Sequence, residues 1–333
     1  MRRSTCEVLA AGFRITFFIT VVLLLLRTSL ISRNIPRVKQ YFTFENNYKV
    51  TEEKYIFNCT NMDKIRITKY EVGGGRSKVV DIGYFNGQVL AVKRLSILKQ
   101  EGMGWESRQM FFMKEIIMRD QLEHSSIIKM YGFCLRHLHI DYQGQNLLKY
   151  SDISAVYEYG NAFDVRTKYF TIQERLRHAL ELADLLSYLH SSPLGSMLIV
   201  DFKSDHFLMV NNRIKLIDLD YISNVEHGCH LNQTFTPCPF NCPCEPLNKV
   251  ERSTTFCEPG SNCNVGVCRG CNVRFNIYNM YNTFLKYLLE PSVFPVESRR
   301  SLTDLLSRLL NNSVKIEEFV NGLISILRIH TKG

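Results

Sequence analysis

The sequence has no internal repeat, no paired Cys/His finger spacing and no basic helix running into heptads. The first absence excludes solenoids and propellers, and the others exclude the common nucleic-acid modules. Charged residues, at 22%, do not give a disordered composition. What is present is bulk. Of 333 residues 45% are hydrophobic, enough for one large two-lobed domain or two small ones. The formal net charge of +9 favours acidic partners such as nucleotides, sulfated glycans or anionic lipid heads. It does not choose among them, and a merely solvated basic surface accounts for it equally well. No nucleic-acid partner is expected.

Long apolar runs are scarce too, which makes the N-terminal one informative. Arg2 and Arg3 precede it, Ile15 to Leu26 is unbroken, Arg14 interrupts the weaker run before it, and Arg27 closes it. Twelve residues are short for a bilayer span but match the apolar core of a signal peptide. Counted from Val8 the run has 19 residues with one arginine, the size of a signal anchor. The RTSLISR that follows offers no clean small-x-small cleavage site. Residues 1–30 therefore read as a signal peptide or, in preference, an uncleaved or late-cleaved signal anchor holding the chain to a membrane. Either sends the rest into the secretory pathway (Golgi lumen) or outside the cell, the second as a single-pass type II protein.

Cysteine usage agrees. Eight of the eleven cysteines are Cys229, Cys238, Cys242, Cys244, Cys257, Cys263, Cys268 and Cys271, in a stretch rich in Asn, Pro and Gly. A dense, even cluster in an oxidising lumen reads as a disulfide framework whose pairing the sequence leaves open. Zinc is the rival, through the C-x-x-C of Cys268 and Cys271, but the other pairs lack regular spacing. Cys59 and Cys134 are a further candidate pair, and Cys6 lies in the targeting segment. Three N-x-[ST] sequons, at Asn58, Asn232 and Asn311, fit a lumenal glycoprotein.

Residues 31–64 are polar and irregular and read as a stem. From Ile65 the texture changes. Ile65, Ile67 and Val72 suggest a strand, and Gly73-Gly74-Gly75 follows. Strands are expected over 78–85 and 88–95, joined by Asn86-Gly87, because a type I′ turn needs positive φ at both positions. A helix is expected over 105–123 and further strands over 127–134 and 154–159. Ile172, Leu176, Leu180, Ala183, Leu186 and Leu189 line one face of a helix over 171–190. Short strands follow near 198–201, 207–210 and 214–219, then the Cys-rich segment 229–271 and helices near 276–289, 299–311 and 315–328. Strands with one helix, then mostly helices, indicate an α+β chain of two lobes, about 65–159 and 160–330.

The chemistry-bearing residues resemble those of protein kinases in order and spacing. Gly73 to Val80 (GGGRSKVV) is similar to the G-x-G-x-x-G-x-V phosphate loop, with Lys78 where the third glycine belongs. Val89-Leu90-Ala91-Val92-Lys93 resembles the V-A-I-K strand, whose alternation gives an apolar floor and an ammonium for phosphate oxygens. Glu115 falls where the helix glutamate would pair with that lysine, and its apolar neighbours Phe112, Met113, Ile116 and Ile117 make a cationic partner necessary. Tyr157-Glu158-Tyr159 resembles the hinge. Asp201-Phe202-Lys203-Ser204-Asp205-His206 resembles the catalytic loop, and Ile214 to Asp220 the strand ending in D-F-G.

The resemblance implies a bilobal protein-kinase-like fold over about 65–330, with the Cys-rich segment replacing the usual activation segment. It implies ATP and Mg or Mn as cofactors. Gly73, Gly75, Val80, Ala91, Lys93, Glu115, Glu158 and Tyr159 would surround the nucleotide. Asp201 would take the acceptor proton, Lys203 would neutralise phosphoryl charge, and Asp218 with His206 would hold metal. The departures are specific. His206 replaces an amide that binds hard cations better, Asp220 replaces the last glycine of D-F-G, and no A-P-E follows. Ile199 and Val200 replace His and Arg, so activity is expected not to depend on activation-loop phosphorylation. The D-L-D ending, the cysteines after it and Asn276-Ile277-Tyr278 resemble secretory-pathway kinases related to the vertebrate lonesome kinase. A neighbouring group, the divergent protein kinase domain family, carries an EF-hand insertion, and no D-x-[DN]-x-[DN]-G loop occurs here. The first group implies tyrosine phosphorylation of secreted or lumenal proteins, although Lys203 is more usual in Ser/Thr kinases. A secreted pseudokinase acting as scaffold or ligand, and a glycan kinase, remain as alternatives.

Overall fold

The structure is a computed structural model. It describes residues 54–75, 77–95, 104–136, 152–166, 170–225, 227–229, 242–245, 255–257, 266–268, 270–311 and 313–331. The N-terminal apolar run, Cys6, Asn232, Cys238 and Cys263 lie outside them. Among the described residues no helix is long and apolar enough to cross a membrane.

The N-terminal lobe is an antiparallel sheet of order β1-β2-β3-β5-β4, made of β1 (Arg66–Gly74), β2 (Lys78–Phe85), β3 (Gln88–Leu95), β4 (Met130–Arg136) and β5 (Asp152–Glu158). Asn86 and Gly87 have φ of 46° and 83°, as the type I′ turn between β2 and β3 requires. Helix α1 (Trp105–Gln121) lies in the same lobe, and Phe112 and Ile116 pack with Leu95, Met130, Phe133, Ala155 and Tyr157. The β4 and β5 bounds differ from expectation by a few residues at each end; Ile127 and Ile128, expected in β4, instead bridge and bond Leu216.

Residues 54–64, expected in the stem, belong to this lobe. Phe57 is buried, its N–H donates to the Tyr131 carbonyl at 3.0 Å, and it forms a parallel bridge with Gly132. A Cβ on Gly132 would fall 2.0 Å from the Phe57 carbonyl oxygen, so only glycine admits this approach. Cys59 and Cys134 form the expected disulfide. Lys54 and Tyr55 both bond the Asp120 carboxylate at the end of α1.

The C-terminal lobe is mainly helical. Helix α2 (Ile172–His190) starts in a capping box, Thr171 accepting from the Glu174 N–H while the Glu174 carboxylate accepts from Thr171. Its buried face includes Leu176, Ala179, Leu182, Ala183, Leu186 and Leu189. A small sheet joins β6 (Asn161–Ala162), β8 (Phe207–Val210) and β9 (Arg213–Leu216), and β7 (Leu198–Ile199) pairs with β10 (Ile222–Ser223). Asn211 and Asn212, at φ 48° and 62°, make the β8–β9 turn.

Helix α3 (Cys271–Met280) begins five residues before the expected 276, just after Gly270 at φ 74°, and continues through a π-helical turn, Tyr281–Leu285, into Lys286–Leu288. Helices α4 (Val296–Leu310) and α5 (Ile316–Thr331) complete the lobe. The Cys-rich segment contains four short strands: β11 (His227–Cys229), β12 (Cys242–Glu245), β13 (Thr255–Cys257) and β14 (Gly266–Cys268), in the order β11-β14-β12-β13. Register sets Cys242 opposite Cys257 and Cys244 opposite Cys268.

Candidate active site

The site forms where β2, β3 and α1 meet the segments around β7, β8 and β9. Lys93 on β3 donates to Glu115 Oε1 at 2.6 Å and to the Ile217 carbonyl at 3.0 Å. Glu115 on α1 is fully buried, as its apolar neighbours predicted. Ile217 directly precedes Asp218, so one lysine ties the sheet, the helix and the metal-ligand segment together. Val80 lies opposite Lys93 and Ala91 opposite Ile82 in the β2–β3 register, which places both expected nucleotide-floor residues beside the lysine.

A second lysine enters the same cluster. Lys78 on β2 donates to Glu115 Oε2 at 2.5 Å, Asp220 Oδ2 at 2.8 Å and Asp218 Oδ1 at 3.2 Å. The sequence motifs mark Lys78 and Asp220 as departures, each occupying a glycine position. The structure brings them into contact across 142 residues of sequence. No local sequence signal links them. The one available hint is that an extra acid and an extra base both occur within motif positions.

Electrostatics follow from this geometry. Burial alone would lower the Lys78 pKa, but Glu115, Asp218 and Asp220 hold it well above the ordinary value. Burial would raise Glu115, and Lys78 and Lys93 reverse that and lower it. Asp218 is likewise driven far down, Lys78, Lys93 and His206 overriding burial. Asp220 goes the other way, raised to about 6, chiefly by burial and against the pull of Lys78. Two neighbouring carboxylates are thus pushed apart in proton affinity, a pattern typical of functional clusters.

The residues expected in the catalytic loop are more exposed than this cluster. Lys203 donates to Asp201 Oδ2 at 2.7 Å, and both are partly exposed. The segment is anchored from below. Asn276 on α3 accepts from the Ile199 N–H at 3.0 Å and donates to the Met197 carbonyl at 2.7 Å. The Val200 N–H donates to the Tyr221 carbonyl at 2.9 Å. Phe202 packs near Phe207 and Phe284, and Phe284 projects from the π-helical turn. His206 lies with Nε2 3.6 Å from Asp218 Oδ2, so the expected metal pair is together.

Two segments expected to surround the nucleotide have defined local contacts. Gly73 and Gly74 are strand residues paired with Val80 and Val79, and the Gly75 N–H donates to the Lys78 carbonyl at 3.0 Å. The glycine run is therefore a tight turn between β1 and β2. Gly74, at φ 139°, would clash with that same carbonyl if it carried a Cβ. The second is the expected hinge. The Glu158 N–H donates to the Lys129 carbonyl, and its carboxylate accepts from the Lys129 N–H at 2.7 Å and from Lys215 Nζ at 2.5 Å. Both groups are engaged within the protein, and Tyr159 is the exposed member of the pair. Among the other expected residues, Asn58 accepts from Thr60 Oγ1 at 2.6 Å, Asn311 is exposed, and Cys271 is disulfide-bonded, which supports the disulfide reading at that cysteine.

Asp218 and His206 would give a divalent cation two protein ligands; among the described residues no cluster of three or more His, Cys, Asp or Glu side chains forms a ready cation site. Asp218 keeps 21% of its side chain exposed beside His206, and the carboxylates already converge on one cation, the Lys78 ammonium.

The five-stranded sheet with its helix, the helical lobe and the Lys–Glu–Asp–Asp set make this a protein-kinase-like fold. No family model matches the chain. It is 27% identical over 226 residues to the human extracellular tyrosine-protein kinase PKDCC, a match covering 66% of this chain and 40% of that one. It is 26% identical over 178 residues to wall-associated receptor kinase-like 10 of Arabidopsis thaliana, covering 49% and 20%. Wall-associated receptor kinase 4 of the same plant is 29% identical over 128 residues, covering 37% and 16%. The chain is similar to protein kinases over these stretches, and its matches span less than half the length of these relatives.

Proposed function

We propose that this chain is an ATP-dependent protein kinase of the secretory pathway or extracellular space, transferring phosphate to hydroxyl groups, tyrosine first, of secreted or lumenal proteins. The observation that carries this is Glu115, fully buried and held to Lys93, with Asp218 in the same cluster. The acceptor and the compartment rest on the likeness to the human enzyme, with the signal-like N-terminus and the Cys59–Cys134 disulfide in support.

In this reading the acceptor oxygen attacks the γ-phosphorus, its proton passes to the Asp201 carboxylate, and the bond to the departing ADP oxygen breaks. Lys203, at 2.7 Å from Asp201, orients that carboxylate and faces the moving charge. Lys93, fixed by Glu115 and the Ile217 carbonyl, is directed at the phosphates. Asp218 and His206 would hold a divalent ion, which when bound neutralises phosphate charge. Such positioning and charge neutralisation supply most of the catalysis in phosphoryl transfer.

The test uses full chain from a secretory host, labelled ATP with Mg²⁺ or Mn²⁺, and tyrosine peptides, serine peptides and glycans side by side. Phosphotyrosine is expected, and Asp201→Asn should lower kcat about 10²–10⁴-fold. Transfer to glycan alone would replace the protein-kinase reading. Absence of transfer to any acceptor, with cellular function surviving Asp218→Ala, would leave the pseudokinase reading.

A further inference from the structure

Three observations converge on Lys78. It occupies the position of the third loop glycine, and its ammonium spends its three protons on Glu115, Asp218 and Asp220. Its partner Asp220 occupies the position of the last D-F-G glycine and is buried. His206 occupies the position of the amide that holds a second metal ion, and imidazole suits hard cations less well. The first two departures cancel electrically. Three carboxylates and two ammoniums leave one excess negative charge, the same as Lys93, Glu115 and Asp218 alone.

We propose that Lys78, seated by Asp220, is a resident second cation of the phosphate site and takes over the role of a second divalent ion. The inference rests on the kinase reading of the site and adds a specific residue to it. An ammonium 3.2 Å from Asp218 already occupies one side of the metal-binding carboxylate, where a second divalent ion would meet a like charge at close range. Lys78 lies on the strand that leaves the glycine turn, and its ammonium shares the Asp218 carboxylate with the expected metal site. The nucleotide complex then needs one divalent ion, held by Asp218, and two ammoniums, Lys93 and Lys78. Asp220 is the positioning residue, holding Lys78 by its third contact.

The experiment counts metal and measures binding, independently of turnover. Full chain is titrated with Mn²⁺ in the presence of a non-hydrolysable ATP analogue, and bound Mn²⁺ is followed by electron paramagnetic resonance. One Mn²⁺ per nucleotide complex is expected. Lys78→Met should weaken analogue binding at least ten-fold at saturating Mn²⁺. Because that change strands the Asp220 carboxylate, Lys78→Met/Asp220→Asn, which removes the buried pair together, should show the same loss with a retained thermal transition. The triple variant Lys78→Gly/His206→Asn/Asp220→Gly should take up two Mn²⁺ and recover most of the lost affinity. Two Mn²⁺ in the unmodified protein, or unchanged analogue affinity in the double variant, overturns the proposal while leaving the kinase reading intact. A chain that binds no analogue at all overturns both, and that result differs from the others because they require a nucleotide-bound parent protein.

Discussion

Glu115 shows how much one side chain can settle. Its burial was legible from Phe112, Met113, Ile116 and Ile117 around it, and so was the need for a lysine. That it would bridge two lysines was not, because Lys78 reaches it only when β2 folds over α1. Glu115→Gln leaves two buried ammoniums without their shared carboxylate. Breaking a buried pair costs about 3–5 kcal/mol, and chemical denaturation of the variant should show a loss of that order. Lys114, the adjacent residue, makes a different prediction. Its ammonium donates to the Ile222 carbonyl at 2.7 Å, and burial pushes its pKa down to about 7, against the pull of Asp220. The folded value lies below the unfolded one, near 10.5, so folding expels a proton between those limits. Stability from this group is fully present above the unfolded pKa and is lost as pH falls towards 7. Relative to Lys114→Met, the parent protein should gain stability from pH 7 to 10, by at most about 1.4 kcal/mol per unit. A flat difference across that range would refute the assignment.

At the scale of elements, hairpins and helices were legible where local chemistry speaks. Asn86-Gly87 dictated its turn, and the apolar face of α2 appeared where the spacing placed it. Helix α3 was misjudged at its start because Cys271 and Asn272 sit among cysteines that read as irregular chain. The π-helical turn was invisible, since nothing in YNTFL breaks a helix and the turn coincides with burial of Phe284 under Phe207. The contribution of α3 to the site is Asn276, which holds the strand just before Asp201. Asn276→Ala should leave the Ile199 N–H and Met197 carbonyl without this partner, at about 1–3 kcal/mol for each buried group. Because the loop carrying Asp201 loses its anchor, kcat should fall more than the KM for ATP rises. Steady-state kinetics with varied nucleotide would show the reverse if Asn276 merely supported the fold.

For the molecule as a whole, the order of strands and helices was enough to give the α+β, two-lobed plan. The boundary at the stem was not. Tyr55, Ile56 and Phe57 form an apolar run too short to mark an element, and only contact with Gly132 and the bond to Cys134 reveal their place. That bond spans 75 residues and fixes the entry of the chain onto β4. Replacing both cysteines by alanine should cost about 4 kcal/mol by loop-closure entropy, seen as a lowered melting temperature that reductant reproduces in the parent protein. The consequence reaches beyond the bond itself. A lobe fastened by an oxidised bond reaches its full stability only where that bond can persist. An enzyme built this way would be sturdiest on arrival, its location serving as a condition of its strength.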